Sequence, residues 1–313
     1  MSRTIQILSH VLSAAAFLCC ASLARAQTQS VVIDGERIFP ESLDSGPDGA
    51  LYIGSIGKGA IFRAAPGATK ATMWIEKAPN KISAVTGVVA DAAHDILFVC
   101  STDLNRIGEP VSLKTFDLKS GALKADYPFP EGKGLCNDVA IAGDGVAYVT
   151  DTSGAHVFRL KPGAAALELW SADPRFEGAD GIAIGPSGSV IVNNVRSNLL
   201  YRIEVKADGS AGAISDLKTS RPLEGPDGMR PTGDGRLVFA ENRGGKISVG
   251  TFDGDMLRME TLKEGLENPP GVTVVGHTIW YIEMKSKYRN DPAFKDKDPG
   301  AFAATAIALP ATK

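Results

Sequence analysis

The stretch Pro226-Asp-Gly-Met-Arg-Pro-Thr-Gly-Asp-Gly-Arg-Leu-Val-Phe-Ala-Glu241 decides the fold. Asp227 heads one short strand, the turn Thr232-Gly-Asp-Gly235 closes eight residues later, and a second apolar strand follows at once. The same unit recurs five more times. Glu41, Gly87, Asn137, Asp180 and Pro270 stand where Asp227 stands. The matching turns are Gly46-Pro-Asp-Gly49, Ala92-Ala-His-Asp95, Ala142-Gly-Asp-Gly145, Gly185-Pro-Ser-Gly188 and Val275-Gly-His-Thr278. Two further strands complete each unit, the third visible as Ala60–Arg63, His156–Arg159, Leu199–Arg202 and Lys246–Val249.

Successive unit heads are 46, 50, 43, 47 and 43 residues apart, the spacing of propeller blades. No stretch carries sustained helical periodicity. After Pro270 there is room for three strands, the last over Ala303–Ala308, and Val31–Ile33 near the other end can supply the fourth. The expectation is an all-β, six-bladed β-propeller closed by the N-terminal strand, a single domain over residues 27–313. Closing the ring this way removes open sheet edges. Two segments depart from the repeat, Ser101–Pro110 and the charged Met284–Gly300. They read as solvated loops, or as a lid over one channel mouth.

Residues 1–26 read as an export signal. Arg3 gives a positive start, Ile5–Leu23 is largely apolar, and Ala24-Arg-Ala26 is a small-x-small cleavage site. The expected location is therefore periplasmic or secreted. No later stretch is apolar for long enough to span a bilayer. Without Arg3 and Arg25, 31 of the 33 Lys and Arg remain against 36 Asp and Glu. That acidic balance gives no draw toward nucleic acid or an anionic membrane. Cys100 and Cys136 are then the remaining thiols. One ends a second strand and the other begins the neighbouring inner strand, so a disulfide and a pair of buried thiols are both open.

In a propeller the first strand of each blade lines the central channel, so equivalent positions converge at one mouth. Glu41, Asn137, Asp180 and Asp227 would meet there from four blades, while Gly87 and Pro270 leave space. One Asp or Asn at a strand start is ordinarily a local cap. Four oxygen side chains at one offset form a ring suited to a hard divalent cation, Ca²⁺ first. Three carboxylates on one axis repel one another until a cation relieves them. Only His94, His156 and His277 follow the leader, and none stands at a unit head, which argues against zinc or haem. Asp151, Asn194 and Glu241, each fourteen residues after a unit head, are candidate substrate contacts on the same rim.

Pro40-Glu41-Ser42, Asn137-Asp138, Asp180-Gly181 and above all Pro226-Asp227-Gly228-Met229 with Gly233–Leu237 resemble the senescence-marker-protein/gluconolactonase family of calcium-dependent six-bladed propellers. The resemblance covers essentially the whole chain after the leader. It implies a metal-dependent lactone hydrolase with Glu41, Asp180 and Asp227 as metal ligands and Asn137 on metal or substrate. Asp180 stands where the family usually carries Asn and adds a negative charge. Leu135 takes the place where sugar-lactone hydrolases often have Arg, which points to a more apolar lactone or ester. In such a hydrolase Ca²⁺, or another divalent cation, polarises the carbonyl while Asp227 takes the proton of the attacking water. The alternatives are a non-catalytic propeller that binds a ligand or protein around a structural cation, and, ranked lowest, a quinone-dependent sugar dehydrogenase.

Overall fold

A computed structural model describes residues 29–312, and the leader expected over residues 1–26 lies outside them. The described chain is all-β. Its two α-helices, Lys77–Asn80 and Lys287–Asn290, have four residues each.

The strands form antiparallel meanders of four. The third repeat is a separate sheet in the order Cys136–Ile141, Ala147–Asp151, His156–Leu160, Glu168–Ala172, and the second repeat forms another. The remaining strands make two eight-stranded sheets rather than separate blades. In each, two meanders meet at their outer edges through a short parallel contact. One contact pairs Lys218 with Met256 and Thr219 with Leu257; the other pairs Val32 with Lys70 and Ile33 with Ala71. The physical reason is the one that drives closure: an outermost strand otherwise presents unpaired N–H and C=O groups.

The strand Ser30–Ile33 pairs antiparallel with Phe302–Ala308, Ser30 opposite Thr305 and Ile33 opposite Phe302. Inner strands Pro40–Ser45, Ala84–Asp91, Cys136–Ile141, Ala179–Ile184, Pro226–Pro231 and Val272–Val275 each pack on the next, and the last packs on the first. Apolar side chains fill each junction. Tyr52, Val85 and Phe116 join the first repeat to the second, Tyr148, Ile182 and Tyr201 the third to the fourth, and Leu43, Phe62, Trp280 and Phe302 the last to the first. The result is a propeller-like ring whose core lies between sheets.

Cys100 and Cys136 form a disulfide with Cα atoms 5.2 Å apart, tying the second repeat to the third. The two irregular segments meet each other. Asn105 donates to the carbonyls of Ile56 (2.7 Å) and Ser83 (2.6 Å), and Arg289 Nη2 reaches Asn105 Oδ1 at 3.3 Å. Arg37 Nη2 also holds the Tyr288 carbonyl at 2.6 Å. The insertion from the last repeat thus lies over the first and touches the second, on the side where the inner strands begin.

Candidate functional site

The sequence aims four side chains inward by a backbone device. Pairing of inner and second strands skips one register at Glu41, and it shifts across Asn137, Asp180 and Asp227. Such a bulge bends the strand and re-aims the side chain it carries. In the second repeat the skipped residue is Thr86, between Val85 and Gly87, so Thr86 is the structural counterpart of Glu41. Gly87 has a different duty from leaving room for a ligand. A Cβ there would run into the Asn137 carbonyl oxygen, so glycine permits the two inner strands to approach.

Glu41, Asn137, Asp180 and Asp227 line one cavity of about 10 Å³ with Thr86 and Pro270. That is about the room one water-sized particle needs. All four are buried, between 6% and 8% exposed. Burial pushes the Glu41 carboxyl well above its ordinary range, and the charges of Asp227, Asp180 and Asp138 push it further; the Arg230 charge works against them. Burial likewise raises Asp227 well above normal, with Asp180 adding to the effect, and lifts Asp180 to about 7. Asn137 Nδ2 donates to Asp180 Oδ2 and to Thr152 Oγ1, both at 2.9 Å, and Asn242 Nδ2 donates to Asp227 Oδ2 at 2.9 Å.

The donor set fits a hard cation in chemistry and charge. Three buried carboxylates and an amide crowd an ion-sized cavity with too little positive charge beside them. As the side chains stand, however, no three Asp, Glu, His or Cys among the described residues form a ready-made metal cage. Two of the carboxylates are already held by amides: Asp180 accepts from Asn137 and Asp227 from Asn242. A cation has to replace those bonds to draw the oxygens to one point.

The structure does not bring Asp151, Asn194 and Glu241 to this cavity. Asp151 Oδ1 accepts from the Leu135 and Gly154 amides at 2.9 and 3.0 Å. Asn194 holds the amides of Arg196 and Ser197 and the carbonyls of Arg175 and Glu177. Glu241, fully buried, takes Arg221, Ser248 and the Glu224 amide. Each spends its side chain pinning loops at the rim. A sequence signal for this was present: Ser55 and Ser101 occupy the same offset, and Ser55 pins the Ile38 carbonyl and the Lys58 amide.

Sequence reasoning missed the middle of the channel. Arg230 grips Asp138 with Nη1 to Oδ2 at 2.7 Å and Nη2 to Oδ1 at 3.0 Å, while Asp44 Oδ1 lies 3.9 Å from Nε. Arg230 borders both the small cavity and a second one of about 420 Å³ at the opposite mouth, so it divides the channel. Ionisable residues in the middle of apolar inner strands, such as Asp138 before Val139-Ala-Ile141, were the available clue.

A buried acidic ring at one mouth of a propeller-like channel is therefore the class of site this chain carries. No protein-family model and no curated protein matches its sequence. Solved structures do match its fold. The major allergen Mala s 1 of Malassezia sympodialis aligns over 90% of this chain and 97% of its own, at TM-score 0.69 and 14% identity. A candidate gluconolactonase aligns over 91% and 95%, at TM-score 0.67 and 16% identity. A luciferin-regenerating enzyme aligns over 90% and 96%, at TM-score 0.67 and 13% identity. At these identities the likeness is one of fold.

Proposed function

We propose that the chain is an exported, six-bladed propeller of the senescence-marker-protein/gluconolactonase type that hydrolyses a small lactone or related ester at the acidic mouth. Glu41, Asn137, Asp180 and Asp227 would hold Ca²⁺ or another divalent cation. The observation that carries the reading is the convergence of three under-compensated, buried carboxylates and one amide on an ion-sized cavity.

The cation supplies Lewis acidity toward the substrate carbonyl when bound. The protein's own groups do the rest. Asn242 fixes one Asp227 oxygen, leaving the other to take a proton from the attacking water. Asn137 spends its Nδ2 on Asp180 and Thr152 and keeps its carbonyl oxygen for the cation or substrate. Arg230 and Asp138 close the channel below, so substrate approaches from the rim where Met284–Gly300 lies.

The cavity's size favours a second reading, because about 10 Å³ admits an ion and no organic molecule. On that reading the cation is structural and a face of the ring binds a ligand or protein. A lactone and ester panel assayed with Ca²⁺ and with chelator separates the two. Chelator-sensitive turnover supports the hydrolase; tight Ca²⁺ binding with no turnover across the panel supports the structural site.

A further inference from the structure

We propose that Asn268 and Ser286 are positioning residues that couple the Met284–Gly300 insertion to Asp227 through Asn242. This rests on the cation-site reading of Asp227 given under Proposed function.

Three hydrogen bonds run in one direction. The Ser286 hydroxyl donates to Asn268 Oδ1 at 2.7 Å. Asn268 Nδ2 donates to Asn242 Oδ1 at 3.4 Å, and Asn242 Nδ2 donates to Asp227 Oδ2 at 2.9 Å. Each amide has one end committed by the previous link, so its other end must donate toward Asp227. Every link therefore turns the Asp227 carboxyl the same way, with Oδ2 toward Asn242.

Two local features show that the chain is built rather than incidental. Ser286 precedes the helix Lys287–Asn290 at the capping position, yet its side chain makes no capping hydrogen bond and serves Asn268 instead. Asn268 itself sits at φ +54°, a conformation that Asn and Gly tolerate best. Its backbone is tied to the insertion as well, since its carbonyl accepts from the Met284 amide at 3.0 Å. The same insertion reaches the second repeat through Arg289 and Asn105. Movement of this covering segment is thereby transmitted to the orientation of Asp227.

Groups that orient a metal ligand commonly change metal affinity or activity by about 10- to 100-fold when removed. The test uses the mature protein with Asn268→Gly, which accepts the positive φ, and Ser286→Ala. Ca²⁺ binding is measured by calorimetry, and the Asn242 side-chain amide resonances are followed by NMR in chelator. Asn268→Gly should move those resonances and weaken Ca²⁺ binding about tenfold, with unchanged thermal stability in chelator. Ser286→Ala should shift both in the same direction by less. On a hydrolysed lactone, kcat should fall with KM unchanged. Unmoved Asn242 resonances with wild-type Ca²⁺ affinity in both variants would overturn the relay. Wild-type protein that takes up no Ca²⁺ would sink the cation reading, and the Asn242 resonances would still decide the relay.

Discussion

Arg230 and Asp138 face each other from the fifth and third inner strands, past the fourth, and are joined by two guanidinium hydrogen bonds of 2.7 and 3.0 Å. Both side chains are at most 10% exposed. Removing one partner of such a pair strands the other charge in a poorly solvated place, at a cost of about 3–5 kcal/mol. Arg230→Met should lower unfolding free energy by about that much in urea titrations. A loss below about 1 kcal/mol would mean that solvent already reaches the pair.

Asp227→Asn keeps the volume of the side chain and can still meet the Asn242 amide. On the proposed mechanism it should fold normally and lose about 10²- to 10⁴-fold in turnover. Steady-state kinetics on the best panel substrate, with calorimetry to show that cation remains bound, is the check. Wild-type rates would remove Asp227 from the base role.

The raised carboxyls give stability a pH dependence with a definite sign. Asp180 titrates near 4 when unfolded and at about 7 when folded without cation, and Glu41 and Asp227 are shifted the same way. Between those values the folded chain holds protons that the unfolded chain has released, so stability falls as pH rises from about 4 through about 7. Melting scans in chelator should show this decline, and millimolar Ca²⁺ should flatten it. A chelated protein whose Tm rises across that interval would contradict the electrostatics of the ring.

Gly87→Ala tests the close approach of two inner strands. The added methyl meets the Asn137 carbonyl, so the two inner strands must move apart. The expected result is a stability loss of about 1–3 kcal/mol together with weaker Ca²⁺ binding. Full cation affinity together with lost stability would show that the strand carrying Gly87, and not the one carrying Asn137, takes up the strain.

Non-reducing thiol titration of the folded chain lacking residues 1–26 should find no free thiol. Cys136→Ser opens a loop of 36 residues and should cost about 4 kcal/mol by loop-closure entropy.

The repeat, the all-β class and the closing role of Ser30–Ile33 were legible because each rests on local chemistry. Turn residues fix where strands reverse, and alternation fixes which side is buried. The convergence of Glu41, Asn137, Asp180 and Asp227 followed from their shared offset. What local reading could not supply was the one-residue slip that makes Thr86, not Gly87, the partner of Glu41, since register depends on the neighbouring strand. The loop-pinning duty of Asp151, Asn194 and Glu241 was hidden for a similar reason. A polar residue at a strand end has the same spacing whether it turns toward the channel or toward its own loop. Arg230 and Asp138 are separated by 92 residues, and only closure of the ring makes them a pair.

The strand Ser30–Ile33 is held along both edges, by Phe302–Ala308 on one side and by Lys70 and Ala71 on the other. The two strands run antiparallel with Ser30 beside Thr305, so both chain ends leave the pair at the same edge, and tension between them would peel its hydrogen bonds one after another from the Ala306–Gln29 bond inward. The protein should therefore open mechanically at this strand first and at low force. Once the strand has peeled away, the outer edges of the first and last repeats that it joined are bared together.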